Sequence, residues 1–116
     1  MSVSKMSPLK HDEVVSWISH LPHAISTILM CSLSRIEKNW LSLSGNGLRD
    51  TTRIAAGNPE MWKKILHGNK ENLINGIDEI EKQLNILKET LKVNDEDKLL
   101  EILKNAKNLR DILYDS

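Results

Sequence analysis

The sequence predicts an all-α fold, a helical bundle formed by a single domain. Apolar residues recur every three or four positions over most of the chain, which is the spacing of amphipathic helices. Phe is absent and aromatic residues make up only 3% of the chain, so that Leu, Ile and Val must build the core. Five glycines and three prolines interrupt 116 residues, and this low content also favours helices. A chain of this length supports one domain with a modest core.

The composition argues against several classes of function. Lys plus Arg and Asp plus Glu both total 16, so the formal net charge is zero and no nucleic acid or anionic membrane partner is expected. The single Cys31 is expected to be a buried, reduced thiol in a cytoplasmic protein. Residues 1–10 lack the apolar region of a signal peptide. The longest apolar stretch, Ile25–Leu33, is too short to span a bilayer.

The first predicted helix follows a lead-in of residues 1–10, which is expected to be disordered, so that the domain comprises residues 11–116. Its apolar positions are spaced by three, four or their sums: Val14, Ile18, Leu21, Ile25, Ile28, Ile36 and Trp40. Pro22 lacks a backbone donor and clashes with the preceding turn, which predicts a break or kink. Residues 24–33 are apolar or small almost all round, which predicts a buried helix and a second subunit to cover it.

The segment Gly45–Trp62 combines turn residues with charge, and it contains three of the five glycines. Leu48–Ala56 is predicted to form a short helix that Gly57 ends as a left-handed cap. Asn58 is predicted to cap the next helix, whose first position Pro59 can occupy without losing a hydrogen bond. Short helices are therefore expected around this segment.

Two longer helices are predicted for the C-terminal part. A short helix ends at Gly68, and Asn69 is expected to cap a long helix that reaches about Lys92. Gly76 within it marks either a weak point or a close approach by another helix. After a turn capped by Asp95, the last helix should form an antiparallel hairpin with the long one. Its inward side chains would be Leu99, Leu103, Ala106, Leu109 and Leu113.

The charged segment also offers a candidate site for an anion. Arg53 presents a planar fork that matches a carboxylate. Asp50 lies one helical turn earlier and either forms an ordinary salt bridge with Arg53 or both pairs with Arg53 and orients it before a ligand arrives. Arg49 either adds positive field or is a solvated surface charge. Thr52 either donates its hydroxyl to a ligand or bonds back to its own helix.

Two other kinds of site are not supported by the residues. His20 and His23 lack a third ligand at the usual spacing, so no metal site is expected. Gly45 and Gly47 begin like a dinucleotide-binding fingerprint, but Asp50 occupies the position of its third glycine and no strand precedes it.

Residues 47–62, GLRDTTRIAAGNPEMW, resemble the signature G-[FL]-[RK]-D-x-T-R-[IL]-A-x-x-x-P-x-[ML]-W of the prephenate/arogenate dehydrogenase family. A second element, SHLPH at residues 19–23, is similar to another motif of that family. The resemblance implies the C-terminal dimerisation and substrate-binding domain, present as an intertwined homodimer. In tyrosine biosynthesis these enzymes oxidatively decarboxylate prephenate or arogenate and transfer hydride to NAD or NADP.

The resemblance also implies a set of substrate-binding residues. Arg53 would hold a carboxylate of the substrate, and His23 would line the pocket and donate or accept a hydrogen bond there. Trp62 would pack beside the site, with Gly47 and Asp50 completing the set. Further possible members are His20, Arg49 and Thr52.

The resemblance places the catalytic His and Ser in an N-terminal Rossmann domain, which also binds the cofactor. The sequence shows no βαβ pattern, so this chain alone is expected to bind no cofactor and to lack dehydrogenase activity. The alternative is a non-enzymatic helical dimerisation or interaction module in which the motif serves packing only.

Overall fold

The computed structural model describes residues 5–114, and the regular structure within that range is helical, without strands. The all-α prediction is therefore confirmed. The seven α-helices are α1 (Pro8–Val15), α2 (Leu21–Leu33), α3 (Lys38–Leu41), α4 (Asn46–Thr52), α5 (Pro59–Gly68), α6 (Lys70–Lys92) and α7 (Glu96–Tyr114). A π-helical segment, Ser16–His20, joins α1 to α2, and a 3₁₀ turn, Arg53–Ala56, follows α4. The chain divides into two compact units, Met1–Ile77 and Asp78–Ser116.

Helix α1 begins earlier than the sequence predicted. Ser7 caps it by accepting a hydrogen bond from the Lys10 backbone N–H at 3.2 Å, and Pro8 occupies the first turn. Residues 8–10 therefore belong to a helix, and the predicted lead-in is wrong for them. Residues 1–4 lie outside the described part of the chain.

The helix is not broken at Pro22. A continuous helical path runs from Pro8 to Leu33, and the irregularity is the π-helical segment just before the proline. There the Leu21 N–H bonds to the Ser16 carbonyl, five residues earlier. A wider turn at this point is a known way to accommodate a disturbed hydrogen-bond ladder. Because α2 ends at Leu33, the predicted continuation of this helix to Trp40 is also wrong.

The distribution of side chains on α2 differs from that of an ordinary core helix. Its buried residues include the polar His23 and Ser26, whereas Ile28 is 62% exposed. Cys31 is exposed as well, so its predicted burial is wrong for the single chain. By length and composition the Pro8–Leu33 path is apolar enough to cross a membrane, a test that core helices of soluble proteins also pass.

The first part of helix α6 packs against the start of α2 at Gly76. A Cβ atom built on Gly76 would lie 3.1 Å from Leu21 Cδ2, and both residues are buried. Of the two alternatives for Gly76, the structure therefore shows the close approach of a second helix. Leu21 and Leu73 are the buried apolar residues of this region, so the core around the contact is small.

The caps of α5 and α7 are the predicted ones. Asn58 Oδ1 accepts a hydrogen bond from the Met61 N–H at 3.0 Å, and Asp95 Oδ1 accepts one from the Lys98 N–H at 3.0 Å. Asn94 completes the turn before α7 with a φ of 58°, in the left-handed region that Asn tolerates.

The predicted inward face of α7 is wrong for the single chain. Helix α7 contains no buried residue, and Leu103 and Leu109 are 58% and 59% exposed. The periodic row of leucines exists, but the described part of the chain supplies little surface to cover it. The row is therefore a surface that another molecule can bury.

Gly76→Val should destabilise the protein by about 1–3 kcal/mol, because the new side chain would overlap the buried Leu21. Urea denaturation at one fixed protein concentration measures this change. Asn75→Val is the matched control, since Asn75 is an exposed neighbour on α6 and the variant introduces the same β-branched side chain without a clash. Equal free energies of unfolding for the two variants would contradict the close contact.

Candidate functional site

The two sequence motifs meet through an aromatic stack. The imidazole of His23 on α2 lies on the indole of Trp62 on α5, with ring centroids 3.8 Å apart and an interplanar angle of 14°. His20 meets the same indole edge-on at 6.4 Å. His23 is only 5% exposed. The structure therefore brings together three of the predicted site residues in the first compact unit.

The ring nitrogens of His23 have different surroundings. Nδ1 lies 3.4 Å from the hydroxyl of Thr27, one helical turn later on α2. Nε2 is buried and has no hydrogen-bond partner among the described residues. A buried polar atom without a partner is costly, and such atoms are often completed by a ligand or water. Nε2 of His23 is thus the buried polar atom of the stack that lacks a hydrogen-bond partner among the described residues.

Gly57 forms the wall beside this stack, and its conformation differs from the prediction. Its backbone is extended, with φ of −63° and ψ of 164°, so it is not the left-handed cap that was expected. A Cβ atom at this position would lie 2.7 Å from Trp62 Nε1 and 3.5 Å from His23 Nε2. Glycine is favoured here by the close approach of the Trp62 indole and not by a special backbone conformation, whereas the imidazole lies at an ordinary van der Waals distance.

Arg53 lies at the start of the 3₁₀ turn, and its side chain is exposed. Asp50 is also exposed, and no ion pair joins the two residues in the part of the chain that the structure describes. The predicted salt bridge between Asp50 and Arg53 is therefore wrong for the single chain, and so is the prediction that such a pairing orients Arg53. The exposed Arg53 guanidinium can therefore bind an anion from a ligand or from another chain.

The other candidates in this segment make local contacts or none. The hydroxyl of Thr52 donates to the Leu48 carbonyl at 2.8 Å, so it bonds back to its own helix. Gly47 lies in α4 with open space around its Cβ position, and Arg49 is exposed. The structure of the single chain does not join these three residues to the stack.

A polar contact that the sequence did not predict joins His20 and Asp12 to the side chain of Asn69. Asn69 Nδ2 donates to the Asp12 carbonyl at 2.8 Å and lies 3.2 Å from His20 Nδ1. The Oδ1 atom of Asn69 accepts a hydrogen bond from Asn72 Nδ2 at 2.9 Å. The prediction that the Asn69 side chain caps α6 is therefore wrong. Burial lowers the pKa of His20 below its usual value of 6.5, and the Asp12 carboxylate partly opposes this shift.

The described residues contain no group of three or more His, Cys, Asp or Glu side chains arranged to hold a metal ion. The stack contains a ring nitrogen without a partner, and Arg53 on the 3₁₀ turn presents an exposed guanidinium. Groups of these two kinds suit a small organic acid that carries a ring, since a guanidinium pairs with a carboxylate and an aromatic face packs against a ring.

Comparison with known proteins identifies the family. Residues 7–105 match the model of the prephenate dehydrogenase dimerization domain. The chain belongs to this family. The match covers both motifs on which the resemblance was based, and it confirms the prediction of the family.

Individual relatives agree with this membership. Prephenate dehydrogenase of Bacillus subtilis (strain 168) is 34% identical over 110 residues, which are 92% of this chain and 30% of the relative. The crystal structure of prephenate dehydrogenase from A. aeolicus in complex with hydroxyphenyl propionate and NAD+ aligns with a TM-score of 0.85 and 40% identity, covering 93% of this chain and 39% of that one. The structure of Synechocystis arogenate dehydrogenase aligns with the same TM-score at 27% identity, covering 92% and 40%.

The chain therefore spans between a third and two fifths of these solved structures and somewhat less than a third of the Bacillus relative. The matching portion is the helical domain.

Lowering the pH should destabilise the wild-type protein more than it destabilises the His20→Gln variant. Because the pKa of His20 is lowered in the folded state, the unfolded state binds more protons at acid pH. This contribution to stability is fully present above the unfolded pKa and is lost as pH falls through 6.5 toward the folded value. Urea denaturation at about pH 7.5 and about pH 5.5 measures the difference.

Ser19→Gln is the control, since Ser19 is an exposed neighbour of His20 without a titrating side chain, and this variant should keep the pH dependence of the wild type. A pH dependence in His20→Gln as steep as that of the wild type would show that His20 does not titrate as described.

Proposed function

We propose that this chain is the dimerisation and substrate-binding domain of a cytoplasmic prephenate or arogenate dehydrogenase of tyrosine biosynthesis. The observation that carries the proposal is the buried His23–Trp62 stack with its unpartnered Nε2, built from the two family motifs. The full enzyme would oxidise and decarboxylate the cyclohexadienyl acid with NAD or NADP. An N-terminal Rossmann domain would bind that cofactor and supply the catalytic His and Ser.

The residues of this chain would bind and orient the substrate. Arg53 would pair with a substrate carboxylate, because its guanidinium is exposed and has no ion-pair partner in the described part of the chain. His23 Nε2 would hydrogen-bond a polar group on the ring, while Trp62 holds the imidazole in place. Asp50 and Gly47 would frame the carboxylate end of the site.

The bound ligands of one relative support this assignment. The A. aeolicus structure contains hydroxyphenyl propionate, which combines a carboxylate with a hydroxylated ring, and NAD+. A fork-shaped cation and a buried imidazole nitrogen are the complementary groups for those two ends. His20, Arg49 and Thr52 would adjust the site from its margin.

A second copy of the chain would cover the exposed apolar side chains. They occur on both compact units, and the larger ones include Trp17, Ile18, Ile28, Leu84, Leu103, Leu109, Ile112 and Leu113. Obligate dimers typically bury about 2,000 Å² or more in interfaces of this apolar kind. The dimerization-domain family of the chain supports a homodimer.

Sedimentation should show a dimer at micromolar protein concentration. Leu103→Glu should shift the chain toward monomer, because it places a charge in the apolar row of α7. Asn105→Glu, an exposed position on the same helix, should leave the dimer intact. A folded wild-type monomer would contradict the proposed assembly.

The isolated chain should show no turnover of prephenate or arogenate with NAD or NADP. A hybrid enzyme, in which this chain replaces the matching portion of the B. subtilis prephenate dehydrogenase, should restore turnover. In the hybrid, Arg53→Gln should raise the KM for prephenate by about 10- to 100-fold, which corresponds to the loss of one hydrogen-bonded ion pair.

Arg35→Gln is the matched control in the hybrid, since Arg35 is exposed and lies outside both motifs. An unchanged KM in Arg53→Gln, accompanied by loss of folding or of the dimer, would favour the alternative of a helical interaction module in which the motif serves packing only.

A further inference from the structure

We propose that Gly57 is a positioning residue for His23, acting through Trp62. Its missing side chain leaves the space in which the indole lies flat on the imidazole. The functional meaning of the inference rests on the proposed function, in which His23 binds the substrate. The structural part stands on the contacts of Gly57 alone.

The geometry leaves no room for a side chain at this position. A Cβ atom on Gly57 would lie 2.7 Å from Trp62 Nε1 and 2.9 Å from Trp62 Cδ1. Carbon atoms do not approach other heavy atoms that closely without a shift of one partner. Either the backbone of Gly57 or the indole must therefore move when a methyl group is added.

The backbone of Gly57 is held from both sides. Its N–H bonds to the Ile54 carbonyl at 3.2 Å, which closes the 3₁₀ turn. The next residue, Asn58, caps α5 through its bond to Met61. The backbone on one side of Gly57 is thus held by the 3₁₀ turn, and on the other side by the start of α5. The Trp62 indole is therefore the group that would have to move.

Movement of the indole changes the surroundings of His23 directly. Trp62 covers one face of the imidazole at 3.8 Å, and the same Gly57 Cβ position lies 3.5 Å from Nε2. A side chain at residue 57 would displace the indole from the stack and occupy space next to the buried, unpartnered Nε2. Gly57 therefore preserves the stack that orients His23 and leaves the space beside its Nε2 empty.

The family signature does not fix this position, since residue 57 falls on one of its unspecified places. The requirement for glycine comes from the stack in this chain. Among the glycines of the motif segment, Gly45 and Gly47 have nothing within 4 Å of their Cβ positions. Gly57 is distinguished from both by its contacts.

NMR of the isotope-labelled chain, without substrate, tests the proposal. The ring protons of His23 lie over an indole face and should be shifted upfield, and His23→Gln assigns them. Gly57→Ala should move these resonances downfield toward the values of an unstacked histidine. Gly68→Ala is the matched control, because nothing lies within 4 Å of its Cβ position, and it should leave them unchanged.

A second background keeps the test decisive if Gly57→Ala folds poorly. Trp62→Ala removes the atoms that a Cβ at residue 57 would strike, so Gly57→Ala should cost much less stability in that background than in the wild type. Unchanged His23 resonances in Gly57→Ala, or an equal loss of stability in both backgrounds, would overturn the proposal.

These readouts need no enzyme activity. If the hybrid enzyme is inactive but the His23 resonances shift in Gly57→Ala, the proposed function is wrong and the positioning role of Gly57 stands. If the hybrid is active but these resonances do not shift, the proposed function stands and the positioning role is wrong.

Discussion

The contact between the imidazole of His23 and the indole of Trp62 is the constraint on which the candidate site depends. It joins α2 to α5, and thereby two motifs that lie far apart in the sequence. Aromatic rings gain from offset stacking beyond the area they bury, by about 0.5–1.5 kcal/mol per pair. The neighbouring features all serve this contact: a glycine makes room beside the indole, and a capped helix start holds Trp62 in register.

The first compact unit also has an unusual distribution of polarity. Polar groups such as His23 and Ser26 are buried, whereas large apolar side chains on α2 are exposed. A chain that buries so little apolar surface within its described part gains little free energy from its own core. In the proposed homodimer, association with a second copy would add the missing burial and would link folding to dimer formation. The family to which the chain belongs is named for that association.

Local rules predicted the features that depend on neighbouring residues. The caps at Asn58 and Asp95 follow from side chains that accept a backbone N–H three residues later, and both are present. Gly76 was predicted to mark either a weak point or a helix approach, and the structure decided between them. The family resemblance followed from two short motifs, and it named candidate site residues that spacing alone left open.

Features that depend on distant partners escaped prediction. The extended backbone of Gly57 reflects a ring from the next helix, and the role of Asn69 reflects groups on the first helices. The exposed leucines of α7 carry the same periodicity as buried ones, because a sequence pattern marks an apolar face without showing which molecule covers it. Arg53 and Asp50 illustrate the limit of spacing: one helical turn permits an ion pair, but exposure to water removes most of its advantage.

A double-mutant cycle on His23 and Trp62 tests the central claim most directly. The free energies of unfolding of His23→Ala, Trp62→Ala and the double variant would be measured by urea denaturation at one protein concentration. The stacked geometry predicts a coupling energy of about 0.5–1.5 kcal/mol between the two positions. Additive losses, with no coupling beyond error, would contradict the stack and with it the site that is built around it.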